Sequence, residues 1–162
     1  MNKLLIALTL IATFFANHAI ALAPCDELEM IKHNCQAKVN QNYGDYSGVY
    51  EGEFMNGKRN GQGTFSFEDG GVYRGQWKDD KFHGQGVIFH SNGTELSGEF
   101  RNGEIVYGKS IYPNGDVYEG EWKIGKPNGK GRFVFYSGDK YNGEIKDGRM
   151  HGKGTMTYTQ RR

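Results

Sequence analysis

The strongest constraint on this chain is a repeat with a period of twenty-three residues. Tyr50 opens YEGEFMNGKRNGQGTF, Tyr73 opens YRGQWKDDKFHGQGVI and Tyr118 opens YEGEWKIGKPNGKGRF, with aromatics and glycines at matching offsets. A copy one residue short, LSGEFRNGEIVYGKS, begins at Leu96, and a fifth, YNGEIKDGRMHGKGTM, begins at Tyr141. Tandem identity of this kind means that one supersecondary unit is stacked on itself, and each unit buries its apolar side against its neighbours.

Each unit carries two turn signals. One is Asn56-Gly57, Asp79-Asp80, Asn102-Gly103, Ile124-Gly125 or Asp147-Gly148; the other closes the unit, as Asp69-Gly70, Asn92-Gly93, Asn114-Gly115 and Ser137-Gly138. Asn-Gly and Asp-Gly between short alternating runs signal β-hairpins, because both central residues of a type I′ turn need positive φ. Two turns per unit leave room for two short strands, so residues 46–162 are expected to form about ten antiparallel strands in one elongated sheet.

Strand alternation explains the 25 glycines. Tyr50, Gly52 and Phe54 share a face, as do Tyr73, Gly75 and Trp77, and Tyr118, Gly120 and Trp122. Glycine weakens a strand by roughly 0.5–1 kcal/mol, but a glycine between rings provides a floor on which a neighbouring ring can lie. The other face carries Glu51, Glu53, Arg74, Glu119, Glu121, Lys130 and Arg132, which read most simply as exposed cross-strand pairs. A sheet of ten strands spaced ~4.8 Å apart has no second layer in this sequence to cover it. Its apolar face must therefore curl, meet the N-terminal segment or meet a partner.

The first 21 residues have a basic Lys3, an apolar run from Leu4 to Ala16 and the small-x-small pattern Ala19-Ile20-Ala21. That is the pattern of a secretory signal peptide, and the apolar run, ~20 Å as a helix, falls short of a ~30 Å bilayer core. The mature chain is expected to begin at Leu22, to contain no membrane span, and to be periplasmic or secreted. Residues 22–45 are expected to form a short helical or irregular segment. It holds Cys25 and Cys35, an even count that suggests one disulfide in an oxidising compartment. On a continuous helix the two would lie about 15 Å apart, so pairing requires a turn near His33-Asn34. The sequence LAPC at 22–25 resembles a bacterial lipoprotein box, with proline where that pattern has a small residue. Free or lipidated cysteine is thus the competing state.

The repeated pattern of tyrosine, x, glycine, x, aromatic, followed by a glycine and then glycine-x-glycine, resembles the MORN repeat. The units fall at 50–72, 73–95, 96–117, 118–140 and 141–162. The resemblance implies a curved antiparallel sheet that acts as a scaffold or binding groove. Three departures stand out: Asp80 for glycine in unit two, Leu96 for tyrosine and Val106-Tyr107 in unit three, and Ile145 for the ring in unit five. Local distortion is expected between Gly103 and Gly108.

Chemistry is sparse. His83 and His151 stand where other units have Asn60 and Asn128, which reads as repeat geometry, and no zinc-type spacing occurs. There is no nucleophile elbow or phosphate-binding loop, and the Glu51/Glu53 type of pair recurs with the repeat. No enzymatic activity, cofactor or metal is expected. Removing Lys3 takes the formal charge from +1 to zero, which gives no electrostatic attraction to nucleic acid. The expected function is a non-catalytic protein-binding or scaffolding module outside the cytoplasm; the alternative is an envelope glycan or phospholipid binder. In either case the candidate binding face is Tyr50, Phe54, Tyr73, Trp77, Tyr118, Trp122 and Tyr141, for which burial within the sheet's own face is the competing reading. The partner is an unidentified protein or envelope component. The uncovered last strand, near Thr155 to Thr159, makes edge-to-edge homodimerisation a further expectation.

Overall fold

The computed structural model describes residues 35–42 and 47–160, and these are all-β. Eleven strands pair antiparallel in chain order to form one open, curved sheet. β1 is Cys35–Asn42. β2 (Ser47–Met55) and β3 (Lys58–Phe67) form the first repeat hairpin, and β4 (Val72–Lys78) and β5 (Lys81–Phe89) the second. The third is β6 (Glu95–Arg101) with β7 (Glu104–Ile111), the fourth β8 (Val117–Lys123) with β9 (Lys126–Val134), and the fifth β10 (Lys140–Lys146) with β11 (Arg149–Thr157).

The helical or irregular segment expected over 22–45 is corrected where it is described. Cys35 to Asn40 alternate buried or half-buried Cys35, Ala37 and Val39 with exposed Gln36, Lys38 and Asn40. This period of two places the apolar residues over the first repeat, and β1 pairs along β2 from Cys35↔Phe54 to Asn42↔Ser47. The edge that β2 would otherwise present is thereby covered. Cys35 is buried; Cys25 and the signal segment lie outside the described residues.

The two turn families differ in geometry. Asn56, Asp79, Asn102, Ile124 and Asp147 all have positive φ, as does the residue after each, the arrangement of a two-residue type I′ hairpin. In the closing turns, glycine alone is left-handed, for example Gly70 at φ 90°. There Gly70 N–H bonds to Phe67 O at 3.1 Å and Phe67 N–H to Gly71 O at 2.9 Å, a type I turn followed by a bulge glycine. The closing signals therefore specify three-residue loops rather than type I′ turns.

Large side chains line one face in rows that follow the strand register. Tyr50 pairs with Phe65, Tyr73 with Ile88, Leu96 with Ser110, Tyr118 with Phe133 and Tyr141 with Met156. Nearer the hairpin tips, Phe54 faces Arg59, Trp77 faces Phe82, Phe100 faces Ile105, Trp122 faces Pro127 and Ile145 faces Met150. Each tyrosine lies flat over a facing glycine pair: a Cβ on Gly75 or on Gly86 would sit 2.6 Å from the Tyr73 hydroxyl oxygen. The hydroxyl explains why the residue is tyrosine. Tyr50, Tyr73, Tyr118 and Tyr141 donate to the carbonyls of Glu53, Gln76, Glu121 and Glu144 at 2.9, 2.7, 2.7 and 3.0 Å. Ring burial worth a few kcal/mol and a bond worth about 1 kcal/mol together outweigh the lost strand propensity of the glycines.

Between these rows the returning strand of each unit is bulged. In units one, two, four and five it carries two extra residues, including a left-handed glycine at 61, 84, 129 or 152. Unit three has one fewer: Glu99 pairs with Tyr107 and Phe100 with Ile105. The expected distortion between Gly103 and Gly108 is this shortened bulge.

Candidate functional site

Of the seven aromatics expected to form a binding face, Tyr50, Phe54, Tyr73, Trp77, Tyr118 and Tyr141 are buried, and Trp122 is half-buried. A single-layer sheet buries rings of this kind by covering them sideways: Tyr50 and Tyr73 are met by rings of the next unit, and Tyr118 by Trp122 of its own unit. Trp77 meets the Tyr50 ring edge-on at 5.1 Å and the Tyr73 ring at 5.3 Å, and its indole N–H donates to Gly63 O at 3.2 Å. Phe100 closes in the same way on Tyr73 at 5.5 Å. These residues are core, and a partner cannot reach the six buried ones while the sheet is intact.

Arg59 was not legible as a site. It is 1% exposed, with its guanidinium 4.2 Å from the Trp77 ring centroid. Its Nε lies 3.2 Å from Asp80 Oδ1, its Nη2 donates to Asp80 O at 2.7 Å, and its backbone N–H donates to Asp80 Oδ1 at 2.9 Å. Asp80 is the residue that departs from the glycine of the other tip turns, and it holds φ 66°. A buried cation needs a partner, so the departure and the arginine explain one another.

The aromatic face is interrupted in unit three. Leu96 and Ser110 pair where units one and four pair tyrosine with phenylalanine, and Ile105 Cδ1 takes part of the ring's place over Gly108. The core divides here into two clusters, and Trp122 packs against both. Elsewhere the tip turn of one unit bonds back to the preceding unit: Asp80 N–H to Arg59 O, Gly103 N–H to Phe82 O and Gly148 N–H to Pro127 O, at 3.1, 2.9 and 2.9 Å. Among the described residues, Gly125 makes no such bond to Ile105. A cavity of about 400 Å³ opens at this junction, with Leu96, Phe100, Ser110, Tyr112, Trp122 and Pro127 in its wall. It adjoins a wider groove of about 760 Å³ that runs toward Phe133, Phe135 and Met150 and shares Asn92, Thr94 and Tyr112 with the cavity.

Burial raises the pKa of the Tyr112 phenol, an effect that Ser110 partly offsets. Ser110, 1% exposed, thus sits beside that phenol, but its Oγ meets no partner in full hydrogen-bond geometry. The same desolvation pushes the Tyr50, Tyr73 and Tyr118 phenols well above the ordinary tyrosine range.

On the opposite face a depression of about 770 Å³ is bordered by Lys38, Glu51, Thr64 and Arg74, and Lys38 Nζ lies 3.4 Å from Glu51. No three His, Cys, Asp or Glu side chains gather as a metal site among the described residues. No helix there is long and apolar enough to cross a membrane.

Comparison with curated proteins gives no match. The family model described as MORN repeat matches residues 50–72, 73–95, 97–117, 118–140 and 141–160, so this chain belongs to the MORN-repeat family.

Proposed function

We propose that the chain is a non-catalytic protein-binding or scaffolding module acting outside the cytoplasm. MORN repeats are in general protein- or membrane-binding modules. The observation that carries the reading is the open stretch of the aromatic face in units three to five. There the cavity and groove reach Tyr112, Trp122, Phe135 and Met150, and Trp122 is half-buried where its unit-two counterpart Trp77 is sealed at 3% exposed. Partly exposed aromatics beside a groove supply the concentrated apolar area from which protein interfaces draw most of their affinity.

The test is capture of partners by the mature protein from the envelope fraction of its host, using two variants on opposite faces. Trp122→Ala is expected to weaken the captured complex by more than about 1 kcal/mol, and Glu121→Lys to leave it intact. Loss of binding in Glu121→Lys with retention in Trp122→Ala would place the site on the charged face and refute the assignment. Phospholipid vesicles replacing the protein partner would favour the membrane alternative.

A further inference from the structure

We infer that the unit-three cavity is a socket for an aromatic ring that carries a hydrogen-bonding substituent, a phenol being the simplest case. The repeat itself identifies the vacancy. Ser110 stands where unit one has Phe65 and unit four has Phe133. The Phe65 ring meets Phe67 at 4.7 Å and Trp77 at 6.2 Å; the residues equivalent to those two in unit three's surroundings are Tyr112 and Trp122, and both line the cavity. The walls are therefore those of a phenylalanine site from which the phenylalanine is missing.

Three observations favour a ring over a chain. Trp77 receives an edge-on ring from Tyr50 at 5.1 Å on its upstream side, whereas Trp122 has Leu96 there and a ring, from Tyr118 at 5.5 Å, on its own unit's side. A ring in the place of Ser110 gives Trp122 the tilted contact that Phe65 makes with Trp77 at 6.2 Å, and so adds an aromatic neighbour on the side where Leu96 supplies none. The volume of about 400 Å³ lies in the range of small-molecule sites, and a cavity of about 150 Å³ already holds benzene. Ser110 Oγ is a buried hydroxyl that lies beside the Tyr112 phenol without completing hydrogen-bond geometry, in a wall that also carries His90, Asn92, Thr94 and Glu104, so a ligand bearing a hydroxyl gains over one without it. The natural ring is a tyrosine side chain offered by a partner or a free phenol. For that source alone the inference rests on the binding function proposed above.

The probe is p-cresol, with N-acetyl-tyrosinamide as the peptide-like arm. The chain has 2 tryptophans, and both indole N–H groups donate to glycine carbonyls at 3.2 Å, so they give two reporters. Titrated p-cresol should shift the Trp122 indole resonance and leave that of Trp77, sealed between units one and two, unmoved. Toluene and cyclohexanol should each bind several-fold more weakly, and Ser110→Ala should abolish the preference for p-cresol over toluene. Ser110→Phe supplies the missing ring and should remove binding in a folded protein. Should that variant not fold, Ser110→Ile, with the residue type that Ile88 places in the same row, serves the same purpose. Binding of N-acetyl-tyrosinamide as tight as that of p-cresol points to a peptide source, and binding of p-cresol alone to a free phenol. No movement of Trp122 at millimolar p-cresol, or equal binding by the filled variant, overturns the inference. Capture of an envelope partner is unaffected by that failure, so the two readings are separable.

Discussion

Asp80→Gly is the most informative single perturbation, because it opposes two effects of known sign. Asp80 holds φ 66°, which glycine adopts freely, so the substitution relieves backbone strain of up to about 1 kcal/mol and restores the residue type of the other tip turns. It also removes the carboxylate 3.2 Å from Arg59 Nε, the acceptor for the Arg59 backbone N–H at 2.9 Å. Stranding a buried charge costs about 3–5 kcal/mol. The Asp80 side chain is 33% exposed, so solvent takes over part of its role and about 2–3 kcal/mol is the better figure. The balance is a loss of about 1.5 kcal/mol, or a fall of roughly 5 °C in melting temperature for a domain of this size. Guanidinium unfolding followed by tryptophan fluorescence measures it, since the guanidinium lies over Trp77. Combining Asp80→Gly with Arg59→Phe recreates the pairing of Phe82 with Gly103 one unit later, where Gly103 N–H bonds to Phe82 O at 2.9 Å. The double variant should return to within about 1 kcal/mol of the parent, giving a coupling energy of the size seen for contacting residues. An Asp80→Gly protein that melts at or above the parent would show that turn strain outweighs the buried pair, and would refute the reasoning.

Four further outcomes are expected. Burial raises the pKa values of Tyr50, Tyr73 and Tyr118 in the folded chain above the ordinary tyrosine value of 10.0, so their contribution is intact below about pH 10 and is lost as pH rises further. Each adds a slope of about 1.4 kcal/mol per pH unit there, and flat stability across that range in an alkaline melting series would contradict their burial. Ile124, a β-branched residue at φ 49° and 73% exposed, should be replaceable by asparagine with a gain of about 1 kcal/mol, read as a higher melting temperature. Intact mass of the protein from its host should give a chain beginning at Leu22 that gains two hydrogens on reduction of Cys25–Cys35; an acylated or thiol-reactive Cys25 would count against this. Light scattering at high concentration should reveal dimers formed through β11, whose residues are exposed apart from Met156, and a monomer mass would remove that expectation.

The hairpins, their order and the single sheet were legible because turn chemistry and strand alternation are local properties, written within a few residues of where they act. Tyr73, Gly75 and Trp77 share a face in any strand, and Asn56-Gly57 favours a type I′ turn whatever surrounds it. The alternation Cys35, Ala37, Val39 was equally available, though its place as β1 depended on β2 offering an open edge beside it. What the tertiary structure decided was lateral. Burial of Trp77 depends on rings from two units meeting it, Arg59 is tolerable because Asp80 arrives from the next unit, and the cavity exists because Leu96 and Ser110 come to lie opposite one another. A repeat specifies the shape of one unit from its own residues, whereas a defect in the surface is a property of neighbouring units brought together, and only packing reveals which side chain is missing its counterpart.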